Sequence, residues 1–202
     1  MTERTRFHCS TDDLVRRAAN AVRAGIDVIQ VRERDLPDRQ LAALVREIVE
    51  VAAGSKTRVL VNDRADIAVV AGAAGVHLRG DSPPATRVRA AFAKASAPGA
   101  ITPGGFIIGR SVHSIAEVDA AVDEGGCDYL MFGTVFRSAG KPAGHPVAGL
   151  AALKGVCARS PLPVIAIGGV NDARVAAVRD AGAAGFAAVE MFMCLTPLPE
   201  VV

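Results

Sequence analysis

The run "QVRER" contains the first side chains that could do chemistry. Gln30, Arg32 and Arg34 occupy alternate positions, so in an extended strand they share one face. Guanidinium groups donate paired hydrogen bonds to phosphate oxygens, and the glutamine amide adds a further donor. The spacing therefore predicts an anion site at the end of a strand. The alternative is a solvated strand end whose charges pair with Glu33 and Asp35.

An amide and a carboxylate follow the next apolar run, in "VLVNDRAD". Asn62 and Asp63 stand where that run ends. A carboxylate in this position can hold Mg²⁺, which takes few protein ligands and uses substrate phosphates as well. Asn and Asp are also ordinary turn and helix N-cap residues. On these residues alone the cap interpretation is favoured, and the metal interpretation stays open.

The segment "VHLRGDSPP" combines a histidine inside an apolar run with charged residues beyond it. His77 is a candidate substrate ligand, although its position favours a hydrogen-bonded core histidine. Asp81 is a second candidate metal ligand, close to Arg79. Asp81 and Ser82 before two prolines are equally typical of a helix start.

The segment "GRSVHS" supplies a hydroxyl and an imidazole. Ser111 and His113 would share one face of a strand and are candidate catalytic residues. Ser114 and Glu117 have the spacing of a capping box at the start of a helix. The spacing does not establish a Ser-His-Asp arrangement.

Two glycine-containing stretches could hold phosphate. "FGTVFRSAGKPAGHP" starts like a buried strand and becomes a loop of small residues around Lys141, which makes it a phosphate loop or a plain connector. "AIGGVND" runs from an apolar strand into Gly168 and Gly169, whose backbone N–H groups can bind phosphate without a side chain. On chemistry alone, the residues indicate an enzyme that acts on a phosphorylated small molecule, with Mg²⁺ left open.

Apolar strands alternate with helical segments along most of the chain. The predicted strands are Asp27–Arg32, Arg58–Asp63, Gly75–Arg79, Phe106–Val112, Tyr129–Phe136, Pro163–Gly169 and Gly185–Met191. The predicted helices span 12–24, 37–53, 64–71, 84–95, 114–124, 147–159 and 172–181. This order leaves two architectures, an open doubly wound sheet or a closed (β/α)8 barrel.

The polar residues decide between the two architectures. They follow several strands, whose carboxyl ends converge on one mouth in a barrel, whereas a doubly wound sheet concentrates function at one switch point. We therefore predict a single α/β domain over residues 1–202, a (β/α)8 TIM barrel. Its eighth strand must come from "TRFHC", and little sequence follows residue 192. The first strand and last helix are thus abbreviated, or another protomer covers them.

Composition argues against several kinds of partner. The formal net charge is +2, too balanced for a nucleic-acid ligand or an anionic membrane surface. The four cysteines are scattered, without metal-ligand spacing, and are expected to be reduced thiols. No apolar run reaches about 18 residues, and the first residues lack a hydrophobic signal region. These features predict a soluble, cytoplasmic protein.

Taken in order, five segments resemble the thiamine phosphate synthase and TenI superfamily. They are "DVIQVRERDL", "VLVNDRADIAVVAGAAGVHL", "IIGRSVHS", "DYLMFGTVF" with the lysine that follows, and "PVIAIGGV". Together they extend from about Leu14 to Phe192. The resemblance implies a (β/α)8 enzyme that uses Mg²⁺ to join hydroxymethylpyrimidine diphosphate to thiazole phosphate, with release of diphosphate. A homodimer is a further expectation.

The resemblance also implies roles for individual residues. Asp63 would hold Mg²⁺. The implied substrate contacts are Gln30, Arg32, Arg34 and Asn62 for the pyrimidine diphosphate, Ser111 for the substrate, Lys141 with Ser138 for the diphosphate, and Gly168 with Gly169 for the thiazole phosphate.

Three positions depart from the synthase pattern. Ser82 takes the position of a second Mg²⁺ aspartate, which leaves Asp81 one residue early, and Gly140 replaces a loop hydroxyl. Glu190 stands where the family commonly has a phosphate-binding residue, and a carboxylate there would repel phosphate.

The TenI branch provides an alternative activity. Some of its members are thiazole tautomerases, whose proton-carrying histidine would correspond to Thr134. His113 or His145 would have to replace it. Three hypotheses are therefore open: a synthase, which is favoured, a tautomerase-like isomerase, and a catalytically inactive barrel that binds a thiamine-pathway ligand or a partner protein.

Overall fold

The computed structural model describes residues 1–95, 105–142 and 144–194. These contain seven strands, β1 to β7, and eight α-helices, α1 to α8, in regular alternation. In chain order the elements are a 3-10 helix (Thr5–Phe7), α1 (Thr11–Arg23), β1 (Val28–Val31), α2 (Asp38–Ala52), β2 (Arg58–Asn62), α3 (Ala65–Val70), β3 (Gly75–Leu78), α4 (Ala85–Ala95), β4 (Ile107–Val112), α5 (Ile115–Glu124), β5 (Tyr129–Phe132), α6 (Gly149–Arg159), β6 (Val164–Ile167), α7 (Asp172–Asp180), β7 (Gly185–Ala187) and α8 (Glu190–Met193).

The chain divides into two compact units. Unit 1 consists of Met1–His77, Phe92–Ile107 and Val189–Val202, and unit 2 of Leu78–Ala91 and Ile108–Ala188. The expectation of one domain over residues 1–202 stays a prediction.

Unit 1 is built on parallel pairing of β1 with β2 and of β2 with β3. Its helices supply the crossovers that parallel neighbours require. Helix α1 starts with a capping box, in which Ser10 and Asp13 satisfy each other's backbone N–H groups. The core is aliphatic, and each fully buried Leu or Ile side chain contributes roughly 1.5–3 kcal/mol. Its largest fully buried side chains include Leu14, Ile29, Leu44, Ile48 and Leu60.

Unit 2 repeats the same construction. Its strands β4, β5, β6 and β7 pair successively in parallel. At Gly109, in β4, an added Cβ would collide with the ring of Tyr129 on the paired strand. Glycine is therefore required at this position, because only its backbone can approach the aromatic ring so closely.

The predicted alternation is confirmed, with every strand one to four residues shorter than expected. The largest differences are at β7, predicted over Gly185–Met191 but ending at Ala187, and at β5, predicted over Tyr129–Phe136 but ending at Phe132. Beyond that point Val135 and Phe136 still donate backbone hydrogen bonds, of 2.9 and 3.0 Å, to Ile167 and Gly168. The segment after β5 thus remains bonded to the end of β6 without forming a regular strand.

The predicted eighth strand from "TRFHC" is wrong. Thr5–Phe7 forms a 3-10 helix, which ends at His8 with a φ of 48°. The residue that pairs with β1 near the N-terminus is instead Thr2, whose backbone N–H donates to the Gln30 carbonyl at 3.0 Å. Among the described residues the last helix is α8, which has four residues, and the sequence after residue 194 lies outside the described residues.

Two further expectations concern the environment of the protein. Among the described residues, no helix is both long enough and apolar enough to cross a membrane. Cys9, Cys127, Cys157 and Cys194 are all free, as their scattered positions predicted.

Candidate functional sites at the strand ends

Two predicted substrate-binding residues of unit 1, Gln30 and Asn62, are in contact. The Gln30 amide nitrogen donates to the Asn62 side-chain oxygen at 2.9 Å. Gln30 is only 5% exposed, so this bond fixes an amide that has few other orientations available. The pair presents oriented donor and acceptor groups at the carboxyl ends of β1 and β2.

The two arginines of "QVRER" have different surroundings. The Arg32 guanidinium lies 3.4 Å from the Glu3 carboxylate, and the Arg32 backbone N–H donates to the Thr2 hydroxyl at 2.8 Å. The sequence interpretation that its charge pairs with Glu33 or Asp35 is therefore wrong for Arg32. Both of these carboxylates contact Arg4 instead. Arg34 is exposed.

Glu33 has a buried carboxylate, and the sequence did not predict this burial. Its side chain is 1% exposed, and the Arg4 backbone N–H donates to its two oxygens at 3.1 and 3.0 Å. Burial raises the pKa of this carboxyl, while hydrogen bonds from Thr2 and Arg4 oppose the shift. The N-terminal segment, which packs over the end of β1, causes this burial. No local pattern in "QVRER" predicts it.

Asn62 and Asp63 do not cap a helix. The residue before α3 is Arg64, and no side chain caps that helix. Asp63 has a φ of 60°, and its backbone N–H donates to the His77 carbonyl at 2.8 Å. A left-handed residue other than glycine at a strand end is uncommon and marks a local constraint.

Arg64 secures this turn from the other side. Its guanidinium donates to Asp38 at 2.5 Å and to both oxygens of Asp66, at 2.9 and 2.6 Å. The starts of α2 and α3 are thereby joined next to Asp63.

His77 is buried in unit 1, as its apolar run predicted. His77 is 2% exposed. Desolvation lowers the pKa of its imidazole to about 4, although the negative charge of Asp63 opposes this shift. The imidazole is therefore neutral at physiological pH. Its role as a substrate ligand stays a prediction.

In unit 2, the charged residues after β3 form a compact turn. Arg79 donates to both carboxylate oxygens of Asp81, at 2.8 and 2.6 Å, and its backbone N–H donates to the Ser82 hydroxyl at 2.8 Å. Helix α4 begins at Ala85, one residue after the predicted start at 84. Ala85 donates its N–H to the Glu124 carboxylate at 2.6 Å.

Arg110 stabilises this turn, a role that the sequence did not predict. It is buried on β4 and donates to the carbonyls of Pro83 at 2.6 Å and Gly80 at 3.4 Å. Its guanidinium also lies 3.6 Å from the Glu124 carboxylate. An arginine inside a predicted strand, as in "IIGRSV", was the available signal.

Ser111 and His113 lie at the end of β4. Ser111 is half-buried and His113 is exposed. The His113 ring Nδ1 lies 3.1 Å from the Glu117 carboxylate, which also accepts the His113 backbone N–H. The capping box is half confirmed, since Ser114 accepts from the Glu117 backbone while the Glu117 carboxylate binds His113.

The lysine loop and the paired glycines meet in unit 2. The Thr134 hydroxyl lies 3.1 Å from His145 Nε2, and a Cβ on Gly168 would lie 2.5 Å from the Thr134 methyl carbon. Gly168 and Gly169 have φ of 102° and 62°, so each meets both a steric and a conformational requirement for glycine. Lys141 is exposed on the same loop.

Arg174 supports the glycine pair. It donates to the Gly169 carbonyl at 2.6 Å, and its guanidinium lies 4.7 Å from the centre of the Phe136 ring. The sequence predicted no role for Arg174. Its position in the first turn of α7 is the only feature that could have indicated one.

Glu190 is paired in unit 1. Its carboxylate accepts a hydrogen bond from the Arg6 guanidinium, at the first residue of α8. Arg17 donates to the carbonyl of Met193 at the other end of this helix. The negative charge at residue 190 is therefore matched by a cation that the sequence reading did not assign.

The predicted metal ligands are Asp63 and Asp81. Among the described residues, no three His, Cys, Asp or Glu side chains form a group that could hold a metal ion. Mg²⁺ needs only one or two carboxylates when substrate phosphates complete its shell, so the role of Asp63 stays a prediction. Asp81 does not fit in this arrangement, because both of its oxygens accept hydrogen bonds from Arg79.

Parallel strands that alternate with helices, with polar groups after their carboxyl ends, define the class of TIM-barrel-like α/β proteins. The thiamine phosphate pyrophosphorylase of Pyrococcus furiosus has this fold at a TM-score of 0.76 and 26% sequence identity, over 97% of this chain and 86% of that chain. The predicted fold class is confirmed. The chain belongs to the family described as thiamine monophosphate synthase, whose model matches residues 2–192.

Individual relatives agree with this family assignment. The thiamine-phosphate synthase of Methanoculleus marisnigri is 41% identical over 177 residues, which cover 88% of this chain and 77% of the relative. That of Anaeromyxobacter dehalogenans is 39% identical over 178 residues, covering 88% and 75%. These likenesses favour a transferase of the synthase type over the tautomerase and the inactive barrel.

Proposed function

We propose that this chain is a thiamine-phosphate synthase, which couples hydroxymethylpyrimidine diphosphate to thiazole phosphate. The observation that carries the proposal is 41% identity to a thiamine-phosphate synthase over 88% of the chain. The matched family region, residues 2–192, includes every candidate site residue of both units.

The proposed reaction exchanges one bond for another. The bond between the pyrimidine methylene carbon and the diphosphate oxygen breaks, and diphosphate leaves with the electron pair. The thiazole nitrogen donates its lone pair to the resulting cation and forms the C–N bond of thiamine phosphate. Since negative charge develops on the leaving group, the protein must supply donors and cations around it.

Residues of unit 1 would bind the pyrimidine diphosphate. The mutual hydrogen bond of Gln30 and Asn62 supports a role in orienting the pyrimidine ring, because both amides are held before the substrate arrives. Arg32 and Arg34 would bind diphosphate oxygens. Arg32 would exchange its 3.4 Å contact with Glu3 for a stronger charge-assisted bond.

Asp63 is the residue that we propose to hold Mg²⁺, at the constrained turn after β2. When bound, Mg²⁺ supplies charge neutralisation for a departing diphosphate. Asp81 would take part only after release from Arg79.

Residues of unit 2 would bind the diphosphate and the thiazole phosphate. Lys141 and Ser138 share a loop in which the Lys141 N–H donates to the Ser138 carbonyl at 3.1 Å, so one turn carries both a cation and a hydroxyl. The backbone of Gly168 and Gly169 would bind the thiazole phosphate, and Ser111 would contact the substrate. In unit 1, the negative charge of Glu190 is matched by the Arg6 guanidinium.

The test is formation of thiamine phosphate by purified protein from both substrates with Mg²⁺. We expect product, and we expect Lys141→Ala to reduce kcat/KM by about tenfold or more, since charge-assisted bonds contribute roughly 1.5–3 kcal/mol. Lys154→Ala, which removes an exposed lysine of α6, is the matched control. Absence of product with wild-type protein, shown to be folded by its thermal transition, would refute the proposal.

A cytoplasmic location and a homodimer belong to the same proposal. Free cysteines are compatible with a reducing compartment. Sedimentation equilibrium at micromolar protein should give the mass of two chains, and the mass of one chain would rule out the homodimer under those conditions.

A further inference from the structure

The loop that carries Lys141 has a closed base in unit 2. Ala148 donates its N–H to the Thr134 carbonyl at 2.8 Å, and Gly149 donates to the Val135 carbonyl at 3.2 Å. The backbone therefore leaves the end of β5 and returns to the same place about a dozen residues later.

Two backbone turns lie inside this loop. Lys141 N–H bonds to the Ser138 carbonyl at 3.1 Å, and His145 N–H bonds to the Pro142 carbonyl at 3.0 Å. Both bonds are local, spanning three residues each. Neither ties the lysine-carrying tip to the base of the loop.

The tie to the base comes from one side chain. His145 Nε2 lies 3.1 Å from the Thr134 hydroxyl, across eleven residues of sequence. Among the described residues 136–142 and 144–147, His145 is the only side chain that makes a hydrogen bond to the base. His145 is half-buried, whereas Lys141 is exposed.

We infer that His145 is a positioning residue, which clamps the lysine loop onto Thr134 and so restricts where the Lys141 ammonium can reach. The physical reason is conformational entropy, because holding each backbone residue in one conformation has an entropic cost. A loop that is already closed has less of this cost left to meet when an anion binds. The role for Lys141 rests on the proposed function, but the clamp itself does not.

Thr134 reinforces the inference from the opposite side. Its methyl carbon packs against Gly168, where an added Cβ would lie 2.5 Å away. The hydroxyl that binds His145 is thus carried by a side chain that packing already orients. A rigid partner makes a single hydrogen bond effective as a clamp.

The experiment uses four single variants of the full chain, together with one double variant and one control variant. His145→Ala and Thr134→Val remove the bond, the second without changing side-chain shape. His145→Gln and Thr134→Ser retain a group that can make it. The readouts are hydrogen exchange of the Lys141 and His145 amides and the Kd of inorganic diphosphate with Mg²⁺, measured by calorimetry.

Loss of one neutral hydrogen bond corresponds to about a three- to tenfold effect. We expect amide exchange to quicken and diphosphate affinity to fall by about that factor in His145→Ala and Thr134→Val, with partial recovery in the two conservative variants. The double variant His145→Ala/Thr134→Val should be no worse than either single variant, because both remove the same bond. His8→Asn, which removes an exposed imidazole of unit 1 while tolerating a positive φ, is the matched control.

Unchanged exchange in both disrupting variants would overturn the clamp. Faster exchange with unchanged diphosphate affinity would overturn its role in positioning Lys141. An inactive wild-type protein would refute the proposed synthase but not the clamp, since exchange does not depend on turnover.

Discussion

Unit 1 buries two ionisable side chains, those of His77 and Glu33. His77 and Glu33 are both nearly inaccessible to water, and desolvation disfavours the charged form of each. For a base this lowers the pKa, and for an acid it raises the pKa. The two residues should therefore make the stability of the protein depend on pH in opposite directions.

His77 should destabilise the fold in acid. Its pKa is about 4 when folded, against an ordinary value of 6.5, so the unfolded chain binds the proton more readily. The contribution is present above pH 6.5 and is lost as pH falls towards 4, by up to roughly 3 kcal/mol. Urea unfolding of wild type and His77→Gln at pH 7 and pH 4 measures it. A difference between the two proteins that does not change with pH would contradict the prediction.

Glu33 should act in the opposite sense. Because its folded pKa lies above the ordinary value, its contribution is present in acid and is lost as pH rises through the folded pKa. The free energy of unfolding of wild type minus that of Glu33→Gln should therefore decrease from pH 4 to pH 7. If this difference instead grew with pH, the Arg4 and Thr2 hydrogen bonds would outweigh burial.

At the scale of elements, the structure depends on what stands immediately after each strand. The turn after β2 is held by Arg64, the turn after β3 by Arg110, and the glycine pair after β6 by Arg174. In each case an arginine outside the predicted site braces a segment that carries predicted site residues. Sequence spacing located these segments, and arginine contacts hold them in place, two of which span 26 and 27 residues (Arg64 with Asp38 and Arg110 with Pro83).

The glycine after β6 provides an element-level prediction. Gly168→Ala would place a Cβ 2.5 Å from the Thr134 methyl carbon at a φ of 102°, so we expect a loss of about 1–3 kcal/mol. Gly144→Ala, where no atom lies within 4 Å of the new Cβ, should change stability by much less. Thermal unfolding of the two variants measures the contrast, and equal stabilities would contradict the steric argument.

At the scale of the whole molecule, the family relationship covers residues 2–192 and the fold match covers 97% of the chain. The regular alternation of strands and helices explains why the sequence predicted this fold. Apolar strands that follow a helix ending near a glycine leave a local signature at several βα units. The N-terminus has no such signature, which is why "TRFHC" was misassigned as a strand.

The sequence by itself determined the order of the elements and the fold class, because periodicity and turn chemistry are local properties of the chain. It also indicated Gln30, Asn62, Lys141, Gly168 and Gly169 as candidate site residues. Only the tertiary structure decided which side chains pair. Arg32 meets Glu3, Glu190 meets Arg6, and His145 meets Thr134, at sequence separations of 29, 184 and 11 residues. Pairing depends on distances that folding sets, and the pattern of neighbouring residues does not encode them.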